Sequence, residues 1–358
     1  MLFATPKPSR KLKSQLSELD ELRQRLHQDV GAPKPWMGGL RRSVQASSVA
    51  GSTAIEGFTV SQQTAEALVA AADAGASEDE NRQAVAAYAR AMEHVGAMAA
   101  DPRFRWQERV VLDLHFDACH FQRDQGPGNW RQGPIGVTGK DGSLEYRAPE
   151  AKQVPKLMAE AVRWLAKGDL DAHVVIRAAM AHLHVTSVHP FSDGNGRVSR
   201  IVQSLVLALD GLVSPEFASI EEYLGTHTPA YYEALRDTQG GSYQPDRDTT
   251  GWIEFCLEAH LAQARQRLRQ IDAAAARWGV LEELTESRNW PDRLIIALEQ
   301  SLRGDTDRAR YAAGAEVSTA TASTDLKRLL DASLLTQLGR GRTTHYRASE
   351  ELLGRVAS

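Results

Sequence analysis

The spacing of apolar and polar positions divides the chain into mostly helical stretches. Residues 10–29 repeat at helical spacing and stop at Gly31, before a proline-rich link, so 1–40 reads as an arm. Residues 41–100 are alanine-rich and predict two or three helices, punctuated at Gly57 and Gly75. Within 105–125, Trp106, Val110, Val111, Leu114 and Ala118 share one helical face. In the glycine-rich stretch that follows, Ile135 and Val137 on one side and Leu144 and Tyr146 on the other flank Asp141-Gly142, a hairpin signal. Helical spacing resumes over 150–167 and 171–187. Val198, Ile201, Val202, Leu205 and Leu209 then form a stripe that stops at Gly211. A long helical region over 247–285 reads as a connector. After 290 come a helix at 294–302, two helices parted by a turn at 314–318, and an alternating stretch around Gly339-Arg340-Gly341. The fold expected is mainly α with one hairpin and a C-terminal helix-turn-helix carrying a wing.

Composition narrows the class. Hydrophobic residues are 42% and charged residues 25%, as in soluble globular proteins. A net charge of −4 means that any nucleic-acid contact is local. Two distant cysteines, Cys119 and Cys256, argue against a disulfide scaffold or a zinc cluster and suit a cytoplasmic location. No run approaches the roughly 18 apolar residues of a membrane span, so no membrane partner is expected.

The candidate chemistry sits in HPFSDGNGRVSR, residues 189–200. The stripe behind it makes Arg197 the start of a helix. Cations in a first turn oppose the helix dipole, by roughly 0.3–1 kcal/mol each. Arg197 and Arg200 accept that on one face. An anion at the helix start reverses the sign, and Gly194-Asn195-Gly196 lets backbone amides approach it. Two guanidinium forks and a nest of amides suit a polyphosphate. Asp193 beside phosphates calls for a divalent cation, with Mg²⁺ the usual one. His189 is placed to take a proton from an incoming hydroxyl. Gly139-Lys140 is not a P-loop, because Asp141 stands where Ser or Thr is needed. His182 and His184 lack a third ligand at metal spacing.

HPFSDGNGRVSR resembles the signature of the Fic family, His-Pro-Phe-x-Asp/Glu-Gly-Asn-Gly-Arg-x-x-Arg, at every defined position. HLHVTSVHPF, NWRQGPIGV, VPKLM and TPAYYEAL also resemble family segments, and the likeness covers about 41–265. It implies a Fic-type helical core over 101–265, with a flap at 132–148 and an active loop at 189–200. The N-terminal region would be 1–100, a connector 266–290 and a winged-helix domain 291–358. The resemblance further implies a protein adenylyltransferase that moves AMP from ATP to a Ser, Thr or Tyr hydroxyl. His189 would be the base and Asp193 the Mg²⁺ ligand. Gly194, Asn195 and Gly196 would cradle the α-phosphate, Arg197 and Arg200 would bind the outer phosphates, and Tyr232 would lie near the adenine. The family's kinase-like branch has lysine at the second glycine, whereas Gly196 is intact here. A free edge on the flap would align a target strand by β-augmentation.

A second stretch, SSVAGSTAIEGF at 47–58, puts Ser52 and Glu56 on one helical face and Gly57 just past its end. A carboxylate at a helix C-terminus is electrostatically misplaced unless a cation meets it. The pattern resembles the inhibitory helix of Fic proteins, expected here around 43–57. That implies Glu56 pairing with Arg200 in the outer-phosphate position. The same glutamate could instead orient a water for AMP removal, and both readings stand.

Ser318 is the expected cap of a helix over 319–330 that displays Thr319, Thr321, Ser323, Lys327 and Arg328, with Arg340, Arg342 and Arg347 on the wing. Asp305, Asp307, Glu316, Asp325 and Asp331 dilute that charge, so DNA and protein contact both stand. The competing function is a nucleotide-sensing transcriptional regulator that binds DNA through 291–358. The protein substrate is unnamed and includes the chain itself as an option. A homodimer is compatible with the family.

Overall fold

The computed structural model describes residues 1–71, 77–139 and 142–357. The break expected at Gly75 and the Lys140-Asp141 turn lie outside these residues, as does the Arg342 side chain. The chain is mainly helical and divides into two compact units, Met1–Leu268 and Arg269–Ser358.

The first unit opens with α1 (Arg10–Gly31), α2 (Met37–Ile55), α3 (Gln62–Ala71), α4 (Glu80–Ala100) and α5 (Glu108–Cys119). Strands β1 (Gly136–Thr138) and β2 (Leu144–Arg147) follow, then α6 (Val154–Lys167), α7 (Val174–Val188) and α8 (Asn195–Asp210). After the short α9 (Pro215–Ala218) come α10 (Glu221–Thr226), α11 (Thr228–Gln239) and α12 (Thr250–Ser287), whose residues from Arg269 onward belong to the second unit.

At the centre stands α8, hidden on nearly all sides, with Val198, Ile201, Val202 and Leu205 fully buried. A helix apolar around most of its circumference belongs in a core. It packs on α7 and is flanked by α4 and α5. Gly211 ends it in the left-handed conformation, φ 74°. The flap is antiparallel, with Val137 opposite Tyr146 and a bulge between Val137 and Thr138. Tyr146 buries its ring and donates its hydroxyl to the Ser187 carbonyl (2.6 Å), which fastens β2 to α7.

Two N-terminal and linking segments differ from expectation. The arm is packed: α1 is capped by Ser9 and buries Leu12, Leu16, Leu19 and Leu26, while Arg23 bonds Asp210 at 2.6 Å. Its leucines repeat on one face, and the polar residues between them only cover the outside. The connector is also more than a linker, because Trp252, Ile253, Cys256, Leu257, Leu261 and Leu268 of α12 are buried. Trp252 donates its indole N–H to the Ala179 carbonyl at 2.7 Å.

Helix α2 lies on α10. Their crossing is set by two glycines: a Cβ at Gly51 would sit 2.7 Å from the Glu221 carbonyl, and one at Gly225 would sit 2.7 Å from Gly51 Cα. α2 stops at Ile55, and Gly57 (φ 91°) turns the chain.

The second unit holds α13 (Leu294–Arg303), α14 (Arg308–Gly314) and α15 (Thr319–Asp331), then β3 (Leu335–Leu338), β4 (His345–Ala348) and α16 (Glu350–Ala357). Ser318 caps α15 by accepting from the Thr321 N–H. β3 and β4 pair antiparallel from Leu335 opposite Ala348 to Leu338 opposite His345.

Candidate active site

The loop 189–194 is over-determined by its neighbours. His189 follows α7 in the left-handed conformation (φ 51°, ψ 58°), which strains a residue with a Cβ. Arg131 holds it there. This arginine is 4% exposed and gives its Nε–H to the His189 carbonyl (2.7 Å), Nη1 to Gly133 (2.8 Å) and Nη2 to Pro149 (2.6 Å). Its own backbone N–H reaches the Pro190 carbonyl at 2.9 Å.

Phe191 is fully buried and stacks on His115, with ring centroids 3.7 Å apart. His115 Nδ1 accepts from the Gly128 N–H (2.8 Å), so Nε2 carries the proton and donates to the Asp193 carbonyl (3.0 Å). Burial lowers its pKa to about 4, which keeps it neutral.

Asn195 braces the same loop. Its side chain accepts from the Phe191 N–H (2.9 Å) and donates to the Phe191 carbonyl (2.8 Å). The backbone N–H of Asn195, at the start of α8, is left for an anion.

His189 Nδ1 faces the Thr186 carbonyl at 3.2 Å. That contact selects the Nδ1–H tautomer and leaves Nε2 with its lone pair. Burial holds the ring's pKa below the usual 6.5, so the imidazole is unprotonated at neutral pH.

Helix α8 begins at Asn195, two residues before the expected start at Arg197. Gly194 caps it at φ 74°, and a Cβ there would strike Cys119 Sγ. The first amides of α8 have no intrahelical acceptor, and the dipole makes that end positive.

Both arginines lie under this floor. Arg197 is fully buried and donates Nη2 to Asp193 Oδ2 (2.8 Å) and Gln122 Oε1 (2.9 Å). Its guanidinium lies over the rings of Phe58 and Phe121. Arg200, 1% exposed, donates Nε to Ser52 Oγ (2.7 Å), and Nη2 to the Ser52 carbonyl (3.1 Å) and Glu56 Oε1 (2.9 Å). Each misplaced cation of the first turns thus has one carboxylate partner. A Cβ at Gly196 would run into Glu56 Oε1 and lie 3.1 Å from Arg200 Nη1, so only glycine lets the Glu56 carboxylate rest on the floor.

A cavity of about 360 Å³ opens above the floor. His189, Asp193, Gly196, Glu56 and Tyr232 line it, together with β1. The structure therefore gathers Gly194, Asn195 and Gly196 with the base, the acid and the flap, while Ser52, Arg197 and Arg200 stand behind the wall. Tyr232 is 40% exposed and points its hydroxyl toward the Ile55 carbonyl at 3.4 Å. His182 and His184 lie apart in the core: His182 bonds Gln203 and Tyr231, and His184 meets the Trp164 ring edge-on. Among the described residues no group of three or more His, Cys, Asp or Glu is placed to hold a metal.

Sequence reasoning missed Arg131, His115 and Gln122. Only the arginine carried a signal, a cation in a Gly/Pro-rich loop with no nearby acid. Its partners are carbonyls, which every residue has.

Residues 105–207 match the model of the Fic/DOC family. A probable protein adenylyltransferase of Aquifex aeolicus is 29% identical over 116 residues, 32% of this chain and 32% of that protein. The protein adenylyltransferase Fic of Nematostella vectensis is 24% identical over 263 residues, 72% of this chain and 58% of that one. The chain thus spans about a third of the first relative's length and less than two thirds of the second's. A crystal structure of a Fic family protein from Desulfovibrio desulfuricans G20 has the same fold, with TM-score 0.61 and 21% identity over 97% of this chain and 98% of that one. Residues 105–207, which include the loop at 189–200, are thus the part of this chain that matches the Fic/DOC family.

Proposed function

We propose that the chain is a protein adenylyltransferase that takes AMP from ATP and is restrained by its own Glu56. One observation carries this reading: the unprotonated Nε2 of His189 and the open amides of α8 serve a single cavity. The triphosphate lies with its α-phosphate over Gly194–Gly196. A target Ser, Thr or Tyr hydroxyl gives its proton to His189 Nε2 as its oxygen bonds to the α-phosphorus. The bond from that phosphorus to the oxygen bridging to the β-phosphate breaks, and pyrophosphate leaves. The amides of the floor stabilise the charge that develops.

Asp193 fits a Mg²⁺ bound jointly with phosphate oxygens, because it lines the cavity and commits only Oδ2 to Arg197. When bound, that ion neutralises phosphate charge. Tyr232, on the cavity wall, supports an adenine position beside it. Among the described residues β1 pairs only with β2, and its residues line the cavity, which supports β-augmentation by a target strand.

The clamp of Ser52 and Glu56 on Arg200 supports autoinhibition, since Glu56 holds the cation that would meet the outer phosphates. A charge-assisted hydrogen bond is worth roughly 1.5–3 kcal/mol, or about ten- to hundredfold in rate.

We assign 291–358 to a winged-helix docking module, on its order of three helices and a hairpin. Its DNA-binding use in a nucleotide-sensing regulator has less support. Arg347 is bound by Asp305 (2.6 and 2.9 Å), which leaves Lys327, Arg328 and Arg340 as the exposed cations of the helix and wing among the described side chains. Among the described residues no single helix is long and apolar enough to cross a membrane, and both cysteines are unpaired, in keeping with a cytoplasmic setting.

The test is label transfer to the protein itself from α-labelled ATP, with γ-labelled ATP as control. We expect signal from the α label alone, raised ten- to hundredfold in Glu56→Gly and lost in His189→Ala. Transfer of the γ label would replace this reading with a kinase. Silence of all variants with both labels would put the regulator ahead.

A further inference from the structure

Arg200 presents a problem that the clamp alone does not solve. Its guanidinium is buried, and among the described residues its ion-pair partner is Glu56, itself 20% exposed at the helix end. If Glu56 gives way to nucleotide, a buried cation loses its partner before the phosphates arrive. Such a charge is strongly unfavourable unless something else holds it.

A second carboxylate lies in the same interior. Glu221, at the start of α10, is 2% exposed. It accepts from Tyr88 Oη (2.7 Å) and Ser204 Oγ (3.2 Å) on Oε1, and from Ser219 Oγ (2.7 Å) on Oε2. All three partners are hydroxyls able to donate, so the acceptor set suits the ionised acid; burial pushes the Glu221 carboxyl up, and these hydroxyls together with the Arg200 charge pull against it. Ser204 is four residues beyond Arg200 on α8, so Glu221 is fixed to the face that carries the arginine. Tyr88 belongs to α4, so a third element holds the carboxylate. The link from Glu221 to Arg200 thus runs through Ser204 along α8, with Tyr88 and Ser219 fixing the carboxylate. None of its anchors on α4, α8 or α10 depends on Glu56.

We propose that Glu221 is a positioning residue, the permanent counter-charge that keeps Arg200 oriented and buried when Glu56 is displaced by nucleotide. The inference rests on the adenylyl-transfer reading and extends it. Glu56 and the outer phosphates then compete for an arginine that is held in place throughout. Glu221 touches neither nucleotide nor target, so its effect falls on ATP binding.

The test uses the full chain carrying Glu56→Gly as parent, and reads KM for ATP and kcat for α-label transfer. Adding Glu221→Gln is expected to raise KM for ATP about tenfold while kcat stays within threefold. Tyr88→Phe is expected to move KM in the same direction, and Glu221→Asp to restore part of it. With Glu56 present, Glu221→Gln should lower basal transfer, because Arg200 then has only Glu56 left. A merely loosened fold would release Glu56 and raise it. An unchanged KM in folded Glu221→Gln and Tyr88→Phe, or a raised basal rate, overturns the proposal. If Glu221→Gln does not fold, Tyr88→Phe decides. A parent that transfers no label overturns the transfer reading instead. ATP binding by calorimetry then decides the counter-charge: tenfold weakening in Glu221→Gln supports it, and equal affinity overturns it.

Discussion

His189 is held by contacts that do not involve its reactive nitrogen. Arg131 takes the backbone carbonyl and Thr186 takes Nδ1, so Nε2 alone is left for chemistry. Burial is the leading cause of its lowered pKa; the nearby Arg131 charge pushes the same way, while Glu56 and Asp193 oppose it. A base acts in its unprotonated form, so the rate should fall only as pH drops through that lowered pKa and stay level above about 6.5, the ordinary histidine value. The pH profile of kcat/KM in Glu56→Gly checks this, since removing Glu56 takes away one of the groups that raise the pKa. An acid limb with its midpoint above 6.5 would contradict the assignment. Arg197 teaches a related lesson. The family resemblance assigns it to the outer phosphates, and in this structure its side chain meets Asp193, Gln122, the Ala118 carbonyl and two aromatic faces.

Among the elements, α2 brings Ser52 and Glu56 to Arg200, and glycine decides where α2 lies. At Gly51 a Cβ would be 2.7 Å from the Glu221 carbonyl and 2.9 Å from Glu222 Cα, both backbone atoms that cannot rotate away. Gly51→Ala gains roughly 1 kcal/mol of helix propensity and loses roughly 1–3 kcal/mol to overpacking. We expect a net loss of stability and a several-fold rise in basal transfer, as the turn carrying Glu56 is lifted from Arg200. Gly96 in α4 is the matched control, because a Cβ there meets nothing within 4 Å. Gly96→Ala should stabilise the chain by about 0.5–1 kcal/mol and leave transfer alone. Denaturant melts paired with the label assay separate the two, and equal behaviour of both variants would refute the packing argument. Such contacts mark how far the sequence could be read. Ser52, Glu56 and Gly57 were legible because helix spacing and a C-terminal glycine are local signals. So were the flap strands and the stop at Gly211. The seat of α2 on α10 was not, because small residues announce close approach only when their distant partner is known. α1 and α12 were undervalued for a related reason: long polar faces masked regular apolar stripes that only tertiary packing makes decisive.

For the whole molecule, the chemistry is confined to one unit. Every residue placed at or behind the cavity, from Ser52 to Gln239, belongs to Met1–Leu268, and the buried residues of α12 as far as Leu268 complete that core. A chain ending at Ser287 keeps the whole of α12 and therefore the surface that its Trp252, Leu257 and Leu261 cover. It also keeps Arg267, which donates to Glu222 Oε2 (2.6 Å) and Ser48 Oγ (3.2 Å) and so ties α12 to α10 and α2. Exposing that apolar face would be costly, because burial is worth about 25 cal/mol per Å². The fragment 1–287 bearing Glu56→Gly should then fold and label itself from α-labelled ATP within about threefold of the full chain. A fragment cut at residue 249 removes α12 and should not fold. If 1–287 is folded by circular dichroism yet transfers more than tenfold more slowly, residues 288–358 contribute to the reaction itself. They could not then be assigned to docking alone, and the search for a target would move to that unit.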